Sequence, residues 1–183
     1  IYWDMGFGQL VTISAYRKWK ANRGQDFDHS GVDLGYIDKD GLRMGFTQFT
    51  QEVRLQGSTP KLDWLVGGYY SRETVDEAFY SDFYQSLLFD TRTTYSQKVR
   101  SASLFGQLEY ALDDKLKLIG GLRGENEKRN PYDFVTAGVF APGAPATNFS
   151  PTADKSLHNK TLTGKLALEY RPADGVLLYA SVS

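Results

Sequence analysis

Glu52, Arg54, Glu109, Lys117, Arg123, Glu125, Lys165 and Glu169 stand at alternate positions of stretches whose intervening residues are mostly apolar. Two carboxylates held about 5 to 10 Å apart across a cleft, with pKa values pushed apart, could do the acid and base work of a glycosidase. No spacing in this set singles out one such pair. The same mixed-sign side chains could instead form salt bridges to a domain packed against them, or solvate an aqueous interior. Glu52, Arg54, Glu109 and Arg123 are the residues expected to line that interior.

Aromatic rings supply the second candidate chemistry. Residues 75–100 carry Phe79, Tyr80, Phe83, Tyr84, Phe89 and Tyr95 among Asp76, Glu77, Asp82 and Asp90. Rings presented to solvent can stack on a sugar or an aromatic chelator, which makes Phe79, Tyr80, Phe83 and Tyr84 candidate substrate contacts. A hairpin whose rings pack on one another accounts for them equally well. Metal ligation is not supported. Asp38-Lys39-Asp40-Gly41, with Asp33 upstream, resembles a calcium loop but lacks a closing Glu at the right spacing, so an Asp-Gly turn is expected there. His29 and His158 each stand alone in sequence, and the absence of cysteine removes thiolate ligands and disulfides.

The elements that position these side chains are strands. In segment 101–112, Ala102, Leu104, Gly106, Leu108 and Tyr110 share one face, while Ser103, Phe105, Gln107 and Glu109 share the other. After Asp113-Asp114-Lys115 the pattern resumes with Leu116, Leu118, Gly120, Leu122 and Gly124 on the apolar side. Pairing outward from that turn sets Tyr110 beside Leu118, Leu108 beside Gly120 and Gly106 beside Leu122, large against small. An earlier hairpin places Phe49, Val53, Leu55, Leu62, Trp64, Val66 and Tyr70 on one face around a turn at Ser58–Lys61, with Leu55 expected opposite Trp64. Gln51 is a misfit on that face, because an amide facing hydrocarbon leaves donors unpaired. A last hairpin alternates Leu162, Gly164, Leu166, Leu168 and Tyr170, turns at Pro172-Ala173-Asp174-Gly175, and continues through Val176, Leu178, Ala180 and Val182.

Short turns therefore alternate with long polar connections, expected over 20–45, 75–100 and 129–160. That rhythm predicts an antiparallel transmembrane β-barrel. Trp64, Tyr110 and Tyr170 lie close to the short turns on the apolar face, as an aromatic girdle at a membrane interface would. No run approaches the ~18 apolar residues of a membrane helix, which leaves a barrel open because its strands alternate. Of 183 residues 41% are hydrophobic, and the formal net charge is −1 with no basic stripe in sequence, so nucleic acid is not an expected partner. The first strand ends near Asp4 and the last is still alternating at Ser183, so the chain is expected to be a piece, about eight strands, of a larger barrel. A complete small barrel, in a membrane or soluble and ligand-binding, is the alternative.

QEVRL at 51–55, WLVGGYYSRE at 64–73, LFGQLEYALDDKLKLIGGLR at 104–123 and LALEYRPADGVLLYASVS at 166–183 resemble the barrel domain of TonB-dependent outer-membrane receptors of Gram-negative bacteria. The resemblance implies that residues 1–183 form about a third of a barrel of ~22 strands, with the plug domain and the TonB-contacting segment lying elsewhere. It also implies import of a siderophore, cobalamin or oligosaccharide across the outer membrane. The partners would be TonB, the receptor's own plug and outer-membrane lipid. Such transport breaks no bond, so no catalytic residue and no cofactor is expected. A passive porin is the closest rival.

Overall fold

A computed structural model describes residues 1–26, 29, 31, 35–83, 88–141, 144–149 and 155–183. These form one antiparallel sheet of nine strands, and no helix occurs among them. The strands are β1 (Tyr2–Asp4), β2 (Gln9–Asp26), β3 (Tyr36–Ser58), β4 (Leu62–Asp82), β5 (Asp90–Ala111), β6 (Leu116–Val139), β7 (Thr147–Asn148), β8 (Leu157–Tyr170) and β9 (Leu178–Val182). Each pairs with its neighbour in sequence, except that β8 follows β6 and the short β7 lies against the far end of β6. The sheet is not closed: β1 and β9 are its two edges.

Turn chemistry explains one end of the sheet. Gly6 takes φ +84° in the β1–β2 turn, where the Met5 N–H donates to the Gly8 carbonyl at 2.9 Å. In the β5–β6 turn the Asp113 carboxylate accepts from the Lys115 and Leu116 N–H groups at 2.7 and 2.8 Å, an Asx turn. The expected pairs Tyr110 with Leu118, Leu108 with Gly120 and Gly106 with Leu122 are all present.

The β3–β4 hairpin corrects the expected register by two residues. Leu55 faces Val66, and Trp64 faces Gly57. The reason is the position of Pro60. It sits second in a four-residue turn, Thr59–Leu62, closed by the Thr59 N–H on the Leu62 carbonyl at 2.8 Å, so the turn lies one residue further along than Ser58–Lys61.

The long connections are also corrected. Of the span 75–100, residues up to Asp82 belong to β4 and those from Asp90 to β5. Likewise β2 and β3 occupy most of 20–45, and β6 runs to Val139. Strands of 22 to 24 residues (β3, β5, β6) are about twice the 9–11 needed to cross a bilayer. Apolar alternation ends where lipid contact would end, but the ladder continues because Thr74, Val75, Thr91, Thr93 and Tyr95 suit strands, and the β4–β5 pairing runs unbroken to Asp82 and Asp90.

No sandwich core exists among the described residues: the buried apolar side chains are Val11, Ile37, Ile119, Ala137 and Ala167. Instead the apolar face lies bare. Leu104 is 76% exposed, Leu122 65% and Leu162 76%. A surface of that kind is stable only against hydrocarbon or another apolar body.

Candidate functional site

The register fixes two faces. Leu10, Leu55, Val66, Gly106, Leu122 and Gly164 form one cross-strand row, and Val11, Arg54, Gly67, Phe105 and Arg123 form the next row, on the opposite face. Glu52, Arg54, Glu109 and Arg123 all lie on that second, polar face. Its charges are paired locally. Arg54 meets Glu52 at 3.2 Å, Lys117 meets Glu109 at 3.0 Å and Asp63 at 3.8 Å, and Arg123 meets Glu125 at 3.0 Å. The Ser101 hydroxyl also donates to Glu125 at 2.8 Å. Each of these carboxylates is taken up by a cation, and no two of them stand free as an acid–base pair across a cleft. Two groups remain over: Arg54 Nε and the Ser103 hydroxyl are buried without a hydrogen-bond partner among the described residues.

The apolar face resolves its own misfit. Gln51 accepts from the Ser14 hydroxyl at 2.5 Å and donates to Thr12 Oγ1 at 2.8 Å and to the Glu52 carbonyl at 3.0 Å, so its amide is satisfied by β2. Trp64 lies across Gly57, whose missing Cβ would stand 2.6 Å from the indole.

At the end remote from the short turns, aromatic side chains gather. Phe83, Phe89, Phe140 and Phe149 form a chain of rings with centroids 6.0 to 6.3 Å apart. Three connections contribute to it, from β4–β5, β6–β7 and the segment after β7. Phe83 is thus brought into a cluster, whereas Phe79 and Tyr80, adjacent on β4, fall on opposite faces of the sheet. The Arg92 guanidinium sits 5.0 Å over the Tyr80 ring. Tyr84 lies outside the described residues. Nearby Tyr132 has its phenol pKa raised, first by burial and then by the charge of Asp76.

A family described as TonB dependent receptor-like, beta-barrel, matches residues 2–183, essentially the whole chain. The chain belongs to this receptor family. Solved structures agree on the fold. The ferric yersiniabactin uptake receptor FyuA from Yersinia pestis superposes with a TM-score of 0.76 at 15% identity, covering 98% of this chain and 26% of that one. The copper transporter OprC matches with a TM-score of 0.64 at 14% identity, over 95% and 27% of the two chains. The ferric-catecholate import receptor Fiu of E. coli K12, in its open form, matches at 0.59 and 12% identity, over 95% and 35%. No curated protein matches. The chain therefore spans about a quarter to a third of the length of these receptors.

Four aromatic residues of this receptor barrel were not legible as partners in the sequence. Trp19 and Phe46 pair directly across β2 and β3 on the polar face, with ring centroids 5.9 Å apart and planes 27° from parallel. Their alternation is visible in the sequence, but facing them requires that β2 run to Asp26 and β3 begin at Tyr36, inside the span 20–45 expected as a long connection. Phe140 and Phe149 were missed because they lie 51 or more residues beyond Phe89 and meet it only through the topology.

Proposed function

We propose that the intact receptor imports a scarce, bulky nutrient across the bacterial outer membrane, driven by TonB, and that residues 1–183 form part of its wall. Within the class of siderophores, cobalamin and oligosaccharides, a ferric siderophore is the reading favoured by FyuA, a ferric yersiniabactin uptake receptor, and Fiu, a ferric-catecholate import receptor. The observation that carries it is the division of the sheet into a bare apolar face and an ion-paired polar face, in a chain of this family. Short turns then face the periplasm, and the strand extensions rise outside. The polar face lines the lumen, and the orphaned Arg54 Nε and Ser103 hydroxyl take partners from the plug. Substrate contact belongs to Phe79, Phe83 and the Trp19–Phe46 pair. Transport of this kind needs neither a catalytic residue nor a cofactor of the protein's own.

The test is uptake of a radiolabelled ferric siderophore by iron-starved cells that carry the full-length receptor, with and without TonB. Uptake that requires both supports the reading. Uptake that persists without TonB would make the protein a passive channel.

A further inference from the structure

The register brings together a group of basic side chains that are scattered in the sequence. Arg72 on β4 stands directly opposite Arg100 on β5, Arg100 opposite Lys128 on β6, and Lys128 opposite His158 on β8. Lys160 lies on the same face one row nearer the short turns, opposite Asn126. All five side chains are exposed, and among the described residues none of them enters an ion pair. This is the apolar face, not the polar one. The acids nearby in sequence, Glu73, Glu125 and Glu127, belong to the opposite face by alternation. The first carboxylate on this face beyond Arg72 along β4 is Asp76, which accepts from the Ser96 hydroxyl at 2.7 Å. Like charges directly opposed across a ladder destabilise it. Three in succession call for an anion.

Their height identifies that anion's source. Arg100 is ten residues from Tyr110 along β5, Lys128 is ten from Leu118 along β6, Lys160 is ten from Tyr170 along β8, and Arg72 is eight from Trp64 along β4. Ten residues of strand tilted as in membrane barrels rise about 25 Å, the thickness of the lipid-facing band. The line Arg72–Arg100–Lys128–Lys160 therefore runs parallel to the girdle Trp64–Tyr110–Tyr170, one bilayer core away, at the opposite headgroup layer. Just inside it the surface is hollow. A depression of about 800 Å³ includes Gly68, Ala102, Gly124, Leu104, Leu162 and Lys160 in its lining. A Cβ added to Gly124 would meet nothing within 4 Å.

We propose that Arg72, Arg100, Lys128 and Lys160 bind the phosphate groups of an outer-leaflet lipid whose acyl chain lies in the depression below them. The site rests on the orientation proposed above, but not on the substrate or on TonB. Strand spacing sets Arg72 and Lys128 about 10 Å apart, wide enough to hold more than one phosphate oxygen group at once. Arginine supplies forked donors that match phosphate, and lysine adds point charge.

The test uses the full-length receptor in phosphatidylcholine nanodiscs with and without lipid A, with bound lipid counted by native mass spectrometry. Wild type should retain lipid A in preference to its fully dephosphorylated form. The triple variant Arg72→Gln, Arg100→Gln, Lys128→Gln should bind it roughly a hundredfold more weakly, at about fivefold per cation lost near an anionic headgroup. TonB-dependent uptake by that variant should be unchanged, which also reports that it has folded. Equal retention of phosphorylated and dephosphorylated lipid by wild type would overturn the site, as would undiminished binding by the triple variant. Displacement of lipid A by inorganic phosphate alone would also overturn it, leaving an anion site without a lipid.

Discussion

The tightest constraints on this sheet lie at single glycines. A Cβ at Gly67 would stand 2.6 Å from Phe105 Cζ and 2.9 Å from Arg54 Cβ, whereas one at Gly120 would meet nothing within 4 Å. Gly67→Ala should therefore destabilise the full-length barrel by about 1–3 kcal/mol through overpacking, while Gly120→Ala leaves it within about 0.5 kcal/mol. Equilibrium unfolding in lipid vesicles measures both, and equal effects would contradict the packing described. Leu104, mid-band and 76% exposed, gives the complementary test. Leu104→Arg should cost about 2–4 kcal/mol if that face meets the bilayer midplane, and close to nothing if it meets water. Much at this scale was legible in sequence. Alternation assigned Glu52, Arg54, Glu109 and Arg123 to one face, since the period of two admits no other choice within a regular strand. It misjudged Gln51, because the relief from Thr12 and Ser14 comes from a neighbouring strand and cannot be seen along its own.

For whole elements, the sequence revealed the short turns and concealed the length of the strands. Asp113 and Gly175, the latter at φ +78°, announce their turns chemically. The extensions of β4, β5 and β6 beyond the apolar band carry Thr, Ser, Gln and Glu on both faces, and so read as loop. A bulge adds to the difficulty. Between Tyr132 and Val135 the ladder shifts by one residue, with Asp133 at φ +53°, and this reverses the side-chain parity of β6 above that point. No alternation carries through such a shift. The extensions are held by cross-strand pairs and by the rings of Phe83, Phe89, Phe140 and Phe149. Phe140→Ala, which removes the ring bridging Phe89 and Phe149, should speed amide exchange and proteolysis in 79–93 and 134–149 while leaving exchange in 101–125 unchanged. Uniform protection in the variant would show that the cluster does not hold this end.

As a whole molecule, this sheet is an unfinished wall. β3, β4 and β5 are paired on both sides over most of their length, whereas β1 covers only Gln9–Val11 of β2 and β9 only Leu166–Tyr170 of β8, so β1, β9 and the rest of β2 and β8 present unpaired edges. The bare face carries Leu104, Leu122, Leu162 and Leu166, all more than half exposed. In water both features drive association: open edges template further strand pairing, and the apolar face collapses onto itself. A bilayer removes only the second hazard, because an edge strand in hydrocarbon still leaves its N–H and C=O groups unpaired, at several kcal/mol for each group. The 183-residue chain taken alone should therefore fail to form a discrete species in detergent, running as aggregates on gel filtration and showing no heat-dependent shift in electrophoretic mobility. A longer chain of the same receptor, supplying partners to β1 and β9, should give the shift. If the 183 residues alone form a monodisperse, heat-modifiable species, then β1 and β9 find each other and the sheet closes as a small barrel, the alternative that its open edges argue against.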